Sequence, residues 1–212
     1  PTMSKLIEGL FEAGLVEGPR MTAGLNALLT AAGGTAGRLI PDTGRAGYAQ
    51  VVGDRDEMVR ATRQQIKYGA DWIKIHVTGS LPNRAGELTV WSADELRAVT
   101  ETANALDTPT IAHCRSAEST RLAAEAGVDL ILHASYLDEP AVEAMVTAGC
   151  AVAPTFTFRT KSLRTTLPAN ARFTLSSRPS RVGGAPWLMA YIPSRTGMSV
   201  GERYSSASVV GS

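Results

Sequence analysis

Apolar residues recur at helical spacing in several stretches of the chain. Leu6, Ile7, Leu10 and Phe11 line one stripe over residues 4–13, and Met58, Val59, Thr62 and Ile66 another over 54–68. Spacings of three and four residues put such side chains on one face of a helix. Ser92 and Glu95 stand three apart ahead of Leu96, Val99, Ala103 and Leu106, the signature of a capping box at a helix start. A short helix is predicted over 117–126. Another begins at Asp138, carries Pro140 in its first turn and turns Val142, Met145 and Val146 inward. Gly14, Gly69, Gly127 and Gly149 close these stretches, where a left-handed residue ends a helix. Between them lie short apolar runs at 71–77, 109–113, 128–133 and 150–154, with an earlier one near 20–29. Alternation of this kind predicts parallel βαβ units, hence an α/β sheet or barrel.

The run 69–80, GADWIKIHVTGS, is unusual for a strand. Strand side chains alternate between faces, so Trp72, Lys74 and His76 share one face while Ile73, Ile75 and Val77 share the other. Desolvating an ammonium group is costly unless something compensates, so this face either meets water or uses Lys74. The segment AAGGTAGRLIPDTG (31–44) contains neither GxGxxG nor GxxxxGK[ST] and reads as a plain loop rather than a phosphate cradle.

Composition adds little until the chain is divided. Overall, 44% of residues are hydrophobic and 19% charged, with a net charge of +1, ordinary values for a globular protein that give no reason to expect nucleic acid. Residues 159–212 nevertheless hold eight Lys and Arg against one acidic residue, leaving 13 basic and 19 acidic residues in the first 158 and a net charge of −6 there. The chain therefore divides into an α/β part, 1–158, and a basic Ser-, Arg- and Pro-rich tail, 159–212, that is irregular or the product of a shifted reading frame. Cys114 and Cys150 are too few for a disulfide framework and fit no zinc spacing, which favours a reducing compartment such as the cytoplasm. No run is long enough to span a membrane and no signal peptide opens the chain. Because the chain begins with Pro1, the expectation is that its true N-terminus lies upstream.

All three histidines fall in predicted strands or at their C-terminal ends: His76 follows Lys74, His113 ends PTIAH and His133 ends VDLILH. In a parallel barrel that end carries the chemistry. His113 and His133, on neighbouring strands, should lie about 5 Å apart, a separation suited to two ligands of one metal ion. Lys74 has two readings, a Schiff-base nucleophile or a carbamate, an anionic oxygen ligand formed with carbon dioxide. GADWIKIHVTGS resembles the strand that carries the Schiff-base lysine of deoxyribose-phosphate aldolases, though that likeness makes no use of His113 and His133.

The stretches GLVEGPRM, ADWIKIHVTGS, WSADELRAV, TIAHCRSAEST and AGVDLILHASYLDEPAVEAM together resemble the amidohydrolase superfamily, in its imidazolonepropionase-like and prolidase-like branch, from about Ser4 to Thr155. The resemblance implies a partial TIM-type (β/α)8 barrel, roughly strands three to seven. It makes Lys74, as its carbamate, the metal bridge on barrel strand four, with His113 and His133 ligands on strands five and six. The cofactor it implies is divalent metal, zinc foremost, with two ions in the intact family site. The reaction it implies is hydrolysis of a C–N bond in an amide, dipeptide or cyclic amide by a metal-bridging hydroxide. His76, Tyr136 and Arg20 are candidate substrate-binding residues. Cys114, one residue off His113, should point away from the site.

The chain departs from the family pattern in several places. It contains no HxH pair and no Gly-Thr-Asp stretch, so the family's catalytic aspartate has no counterpart among these residues. Thr35 stands near a loop position, and Arg115 at a strand end, where relatives often carry histidine. Three expectations follow: a metal-dependent amidohydrolase acting on a small amide or dipeptide, a class I aldolase-type lyase using Lys74, or a non-catalytic partial barrel. An open parallel sheet also favours association, homo-oligomerisation included.

Overall fold

The computed structural model describes residues 3–33, 45–46, 49–83, 86–154, 173–175 and 191–193. Helix α1 (Met3–Glu12) leads through an extended segment to β1 (Ala27–Leu29), and β2 (Arg45–Ala46) and β3 (Ala49–Val51) precede α2 (Arg55–Lys67). Strand β4 (Ile73–His76) runs into a hairpin of β5 (Thr78–Asn83) and β6 (Gly86–Thr89), and α3 (Ala93–Asn104) follows. Then come β7 (Thr110–Cys114), α4 (Ala117–Glu125), β8 (Leu130–His133), α5 (Glu139–Ala148) and β9 (Ala151–Pro154), and finally the short pair β10 (Phe173–Leu175) and β11 (Tyr191–Pro193).

The main sheet has the order β2-β3-β1-β4-β7-β8-β9. Its six strands from β3 to β9 are parallel, and β2 joins the β3 edge in the antiparallel sense. From β1 to β9 the spatial order is the chain order, with a helix in each crossover, as in a (β/α) barrel. Leu28, Ile73, Ile75, Ala112, Cys114, Ile131 and Val152 meet Met58, Leu96, Val99, Ala123 and Met145 of the helices in one buried core. The isoleucines of β4 thus fill the helix side of the sheet, and Lys74 and His76 occupy the other side, as alternation requires.

Helix boundaries follow local chemistry. Ser92 and Glu95 form the expected capping box, and Asp138 caps α5 by accepting from the Ala141 N–H at 3.0 Å. Gly149 ends α5 with a left-handed backbone, φ 66°. Ser116 and Ser119 form a second reciprocal cap at α4. Three features differ from the sequence expectations. The strand near 20–29 is confined to Ala27–Leu29, β3 occupies the far edge of β1, and the β5–β6 hairpin follows β4. The loop expected over 31–44 lies outside the described residues beyond Gly33. Within 159–212 the described residues are an antiparallel pair, Phe173–Leu175 with Tyr191–Pro193. Among the described residues no helix is long and apolar enough to cross a membrane.

Candidate functional site

Strands β4, β7 and β8 lie side by side, and their C-terminal ends form one rim. Register places His76 directly opposite His113, so both rings leave the same face of the sheet. The two imidazoles stack with centroids 5.0 Å apart and planes within 15°. His133 meets His113 edge to face at 4.4 Å and 73°. Lys74 lies one pleat below His76 on the same face.

His133 reaches this group only by breaking strand alternation. Regular pleating would send it to the helix side with Ile131 and with Cys114, its register partner. Instead its φ is 78°, that of Ala134 is 43°, and the Ala134 N–H donates to the Leu132 carbonyl at 3.1 Å. This three-residue turn is of the rare, strained hand. The same N–H also donates to the Cys114 carbonyl at 2.9 Å, which ties the turn to β7. Strain held in place by neighbouring bonds is characteristic of functional positions.

Burial sets the charge states. It lowers the Lys74 ammonium to about 8 against a small opposing influence of the Cys114 thiol. Burial, aided by the Lys74 charge, brings His76 down to about 3 and His133 to about 4. His113 falls to about 2 through burial, its two histidine neighbours, Lys74 and Arg115. Near neutral pH the three imidazoles are therefore uncharged, the form that binds metal. Cys114 is fully buried on the helix side, and burial pushes its thiol up to about 12, so it is no thiolate nucleophile.

One combination of these side chains could hold a divalent ion. Among the described residues no three His, Cys, Asp or Glu side chains are grouped to hold a metal. Stacked rings direct their in-plane nitrogens along parallel planes, so His76 does not converge with His113. His113 and His133, edge to face, are two neutral imidazoles that could share an ion, and a carbamate on Lys74 would be a third donor. That modification needs an uncharged amine, which burial of Lys74 favours.

Other groups frame the rim. Arg115 Nη1 pairs with Glu87 Oε1 of the hairpin at 2.6 Å, and Thr89 Oγ1 donates to Glu118 Oε2 at 3.2 Å. The Trp91 indole donates to the His76 carbonyl at 2.7 Å. Tyr136 lies on this side, exposed, its N–H donating to the Arg115 carbonyl at 3.1 Å. Arg20 is exposed and belongs to the segment entering β1, where Thr22 accepts from Trp72 Nε1 at 3.2 Å. That is the N-terminal side of the strands, so Arg20 is not brought together with the histidines. The part played by Glu87 had no sequence signal, because the hairpin that carries it was not legible, and that of Trp91, just ahead of α3, depends on a bond to β4.

No protein-family model matches the chain. An uncharacterized protein of Mycobacterium tuberculosis is 31% identical over 111 residues, 52% of this chain and 30% of that protein. Among solved structures, a Xaa-Pro dipeptidase with methionine bound in its active site is 29% identical at a TM-score of 0.62 over 73% of this chain and 39% of its own. An amidohydrolase is similar at a TM-score of 0.63 with 24% identity, over 85% of this chain and 45% of its own, a likeness of fold alone. The chain thus spans less than half the length of these relatives. The parallel strand order and the likeness to the Xaa-Pro dipeptidase structure support an amidohydrolase-superfamily fragment, a chain carrying part of a barrel of that kind.

Proposed function

We propose that this chain carries part of the site of a metal-dependent hydrolase that cleaves a C–N bond in a small amide or dipeptide. The observation that carries the reading is the meeting of His113 and His133 at the ends of adjacent parallel strands, ring centroids 4.4 Å apart, with Lys74 on the neighbouring strand β4 one pleat below the rim. Likeness to a Xaa-Pro dipeptidase supports the reaction class. His113, His133 and Lys74 as its carbamate would hold a divalent cation, zinc foremost. The chemistry such an ion supplies when bound is Lewis acidity toward a carbonyl and toward water.

The chain's own residues prepare the place. Burial keeps both imidazoles neutral and their lone pairs available. Carbon dioxide adds to the neutral Lys74 amine, forming an N–C bond and releasing one proton, and a buried cation becomes an anionic oxygen donor. His76 lines the same face, and Tyr136 stands at the rim where a substrate carbonyl or carboxylate would enter.

The test is Co2+ binding to the full 212-residue chain in bicarbonate buffer, followed by calorimetry and visible absorption. Wild type is expected to bind, with losses of at least about 10-fold in His113→Ala and Lys74→Ala. Unchanged affinity in both variants overturns the reading. Borohydride trapping of a carbonyl compound on Lys74 would instead establish the lyase reading.

A further inference from the structure

We infer that His76 is a positioning residue for His113, setting the plane of that imidazole rather than contributing a donor of its own. The inference rests on the metal reading above and goes beyond it. His76 and His113 are register partners on β4 and β7, both are buried, and their rings stack at 5.0 Å within 15°. The backbone at His76 is held in place: the Trp91 indole donates to its carbonyl at 2.7 Å, and the Val77 N–H beyond it donates to the His113 carbonyl at 3.1 Å. His113 is therefore bounded on one face by His76 and met edge to face by His133 at 4.4 Å. An imidazole free to turn about its side-chain bonds would sample orientations that carry its nitrogen out of reach of the His133 side. A ring stacked beside it at 5.0 Å restricts that freedom. Groups that orient a metal-binding histidine without touching the metal typically govern affinity by about 10- to 100-fold.

The experiment uses the full chain as wild type, His76→Phe, His76→Ala and His113→Ala, with two readouts. In metal-free protein, carbon–proton NMR of the histidine rings reports the stack, because a ring current from residue 76 displaces the His113 resonances. In a Co2+ titration, affinity reports the consequence. The expected result is that Phe, which keeps a stacking ring but has no nitrogen, preserves the displacement and holds affinity within about 3-fold, while Ala abolishes the displacement and weakens binding about 10- to 100-fold. Wild-type affinity in His76→Ala overturns the inference. So does a Phe variant as weak as Ala, since the nitrogen would then be what matters. If wild type itself takes no Co2+, the metal reading fails separately. The NMR then decides: a His113 resonance unmoved by His76→Ala overturns the stack, and one that moves upholds it.

Discussion

Lys74 is the residue whose placement most needs a reason. An ammonium withdrawn from water is destabilised, and burial brings Lys74 down to about 8. The carbamate proposed above would convert that liability into an anionic donor. His133 and Ala134 raise a second issue at this scale, because both hold positive φ angles without being glycine. A left-handed backbone costs an L-residue about 1–2 kcal/mol, so Ala134→Gly should relieve strain and stay within about 1 kcal/mol of wild type despite the lost methyl. Ala112→Gly removes an equally buried methyl from regular strand β7 and should cost more. Urea unfolding of the two variants would measure the difference, and equal losses would mean that the turn at His133 is not strained.

Among the elements, α1 is attached to the sheet through charge. Lys5 Nζ lies 2.6 Å from Glu8 Oε1 and 2.9 Å from Asp71 Oδ2, and Asp71 also accepts from the Ala23 N–H at 2.7 Å. Burial acts to raise the Asp71 carboxyl, but the Ala23 N–H and Lys5 outweigh it and leave it lowered. Burial likewise opposes the Lys5 charge, yet hydrogen bonds to Glu8 and Asp71 leave that group raised. The stability contributed by Asp71 is therefore present above its unfolded value near pH 4 and lost as pH falls through its folded value. That contributed by Lys5 is present below its unfolded value near pH 10.4 and lost as pH rises through its folded value. Asp71→Asn should flatten the acid limb of a profile of melting temperature against pH and, by removing one of the two carboxylates that raise Lys5, weaken the alkaline limb as well. An unchanged acid limb would show that this clamp does not bear on folding.

Across the whole molecule the apolar surface is distributed unevenly. Residues from β1 to α5 bury a continuous core between sheet and helices, whereas α1 turns its apolar stripe outward, with Leu6 51% and Leu10 41% exposed, and buries Glu8. Leu6→Gln should therefore change unfolding free energy by less than about 0.5 kcal/mol, while Ile75→Ala, on the helix side of β4, should cost about 2–5 kcal/mol. Chemical denaturation of the two variants checks the ranking. A cost for Leu6→Gln comparable to that of Ile75→Ala would mean that the stripe is covered in solution.

Helix positions were legible because spacing, caps and glycine stops are local. The expected spans 54–68, 117–126 and 138–149 lie within a residue or so of α2, α4 and α5. The split of β4 into a core face and a Lys74–His76 face was legible for the same reason, since pleating has a period of two. Pairing of β3 with β1, the β5–β6 hairpin and the outward stripe of α1 were not, because each depends on partners far away in the chain. The site divides along the same line. Sequence determined which donors exist and that they end successive strands. Tertiary structure alone decided that His133, which alternation assigns to the helix side, turns back against His113, that His76 stacks on His113, and that Arg20 lies at the opposite end of the strands. Local periodicity encodes backbone geometry within an element. The aim of a side chain at a strand end is set by bonds to the neighbouring strand, such as that from the Ala134 N–H to the Cys114 carbonyl, which exist only once the sheet is assembled.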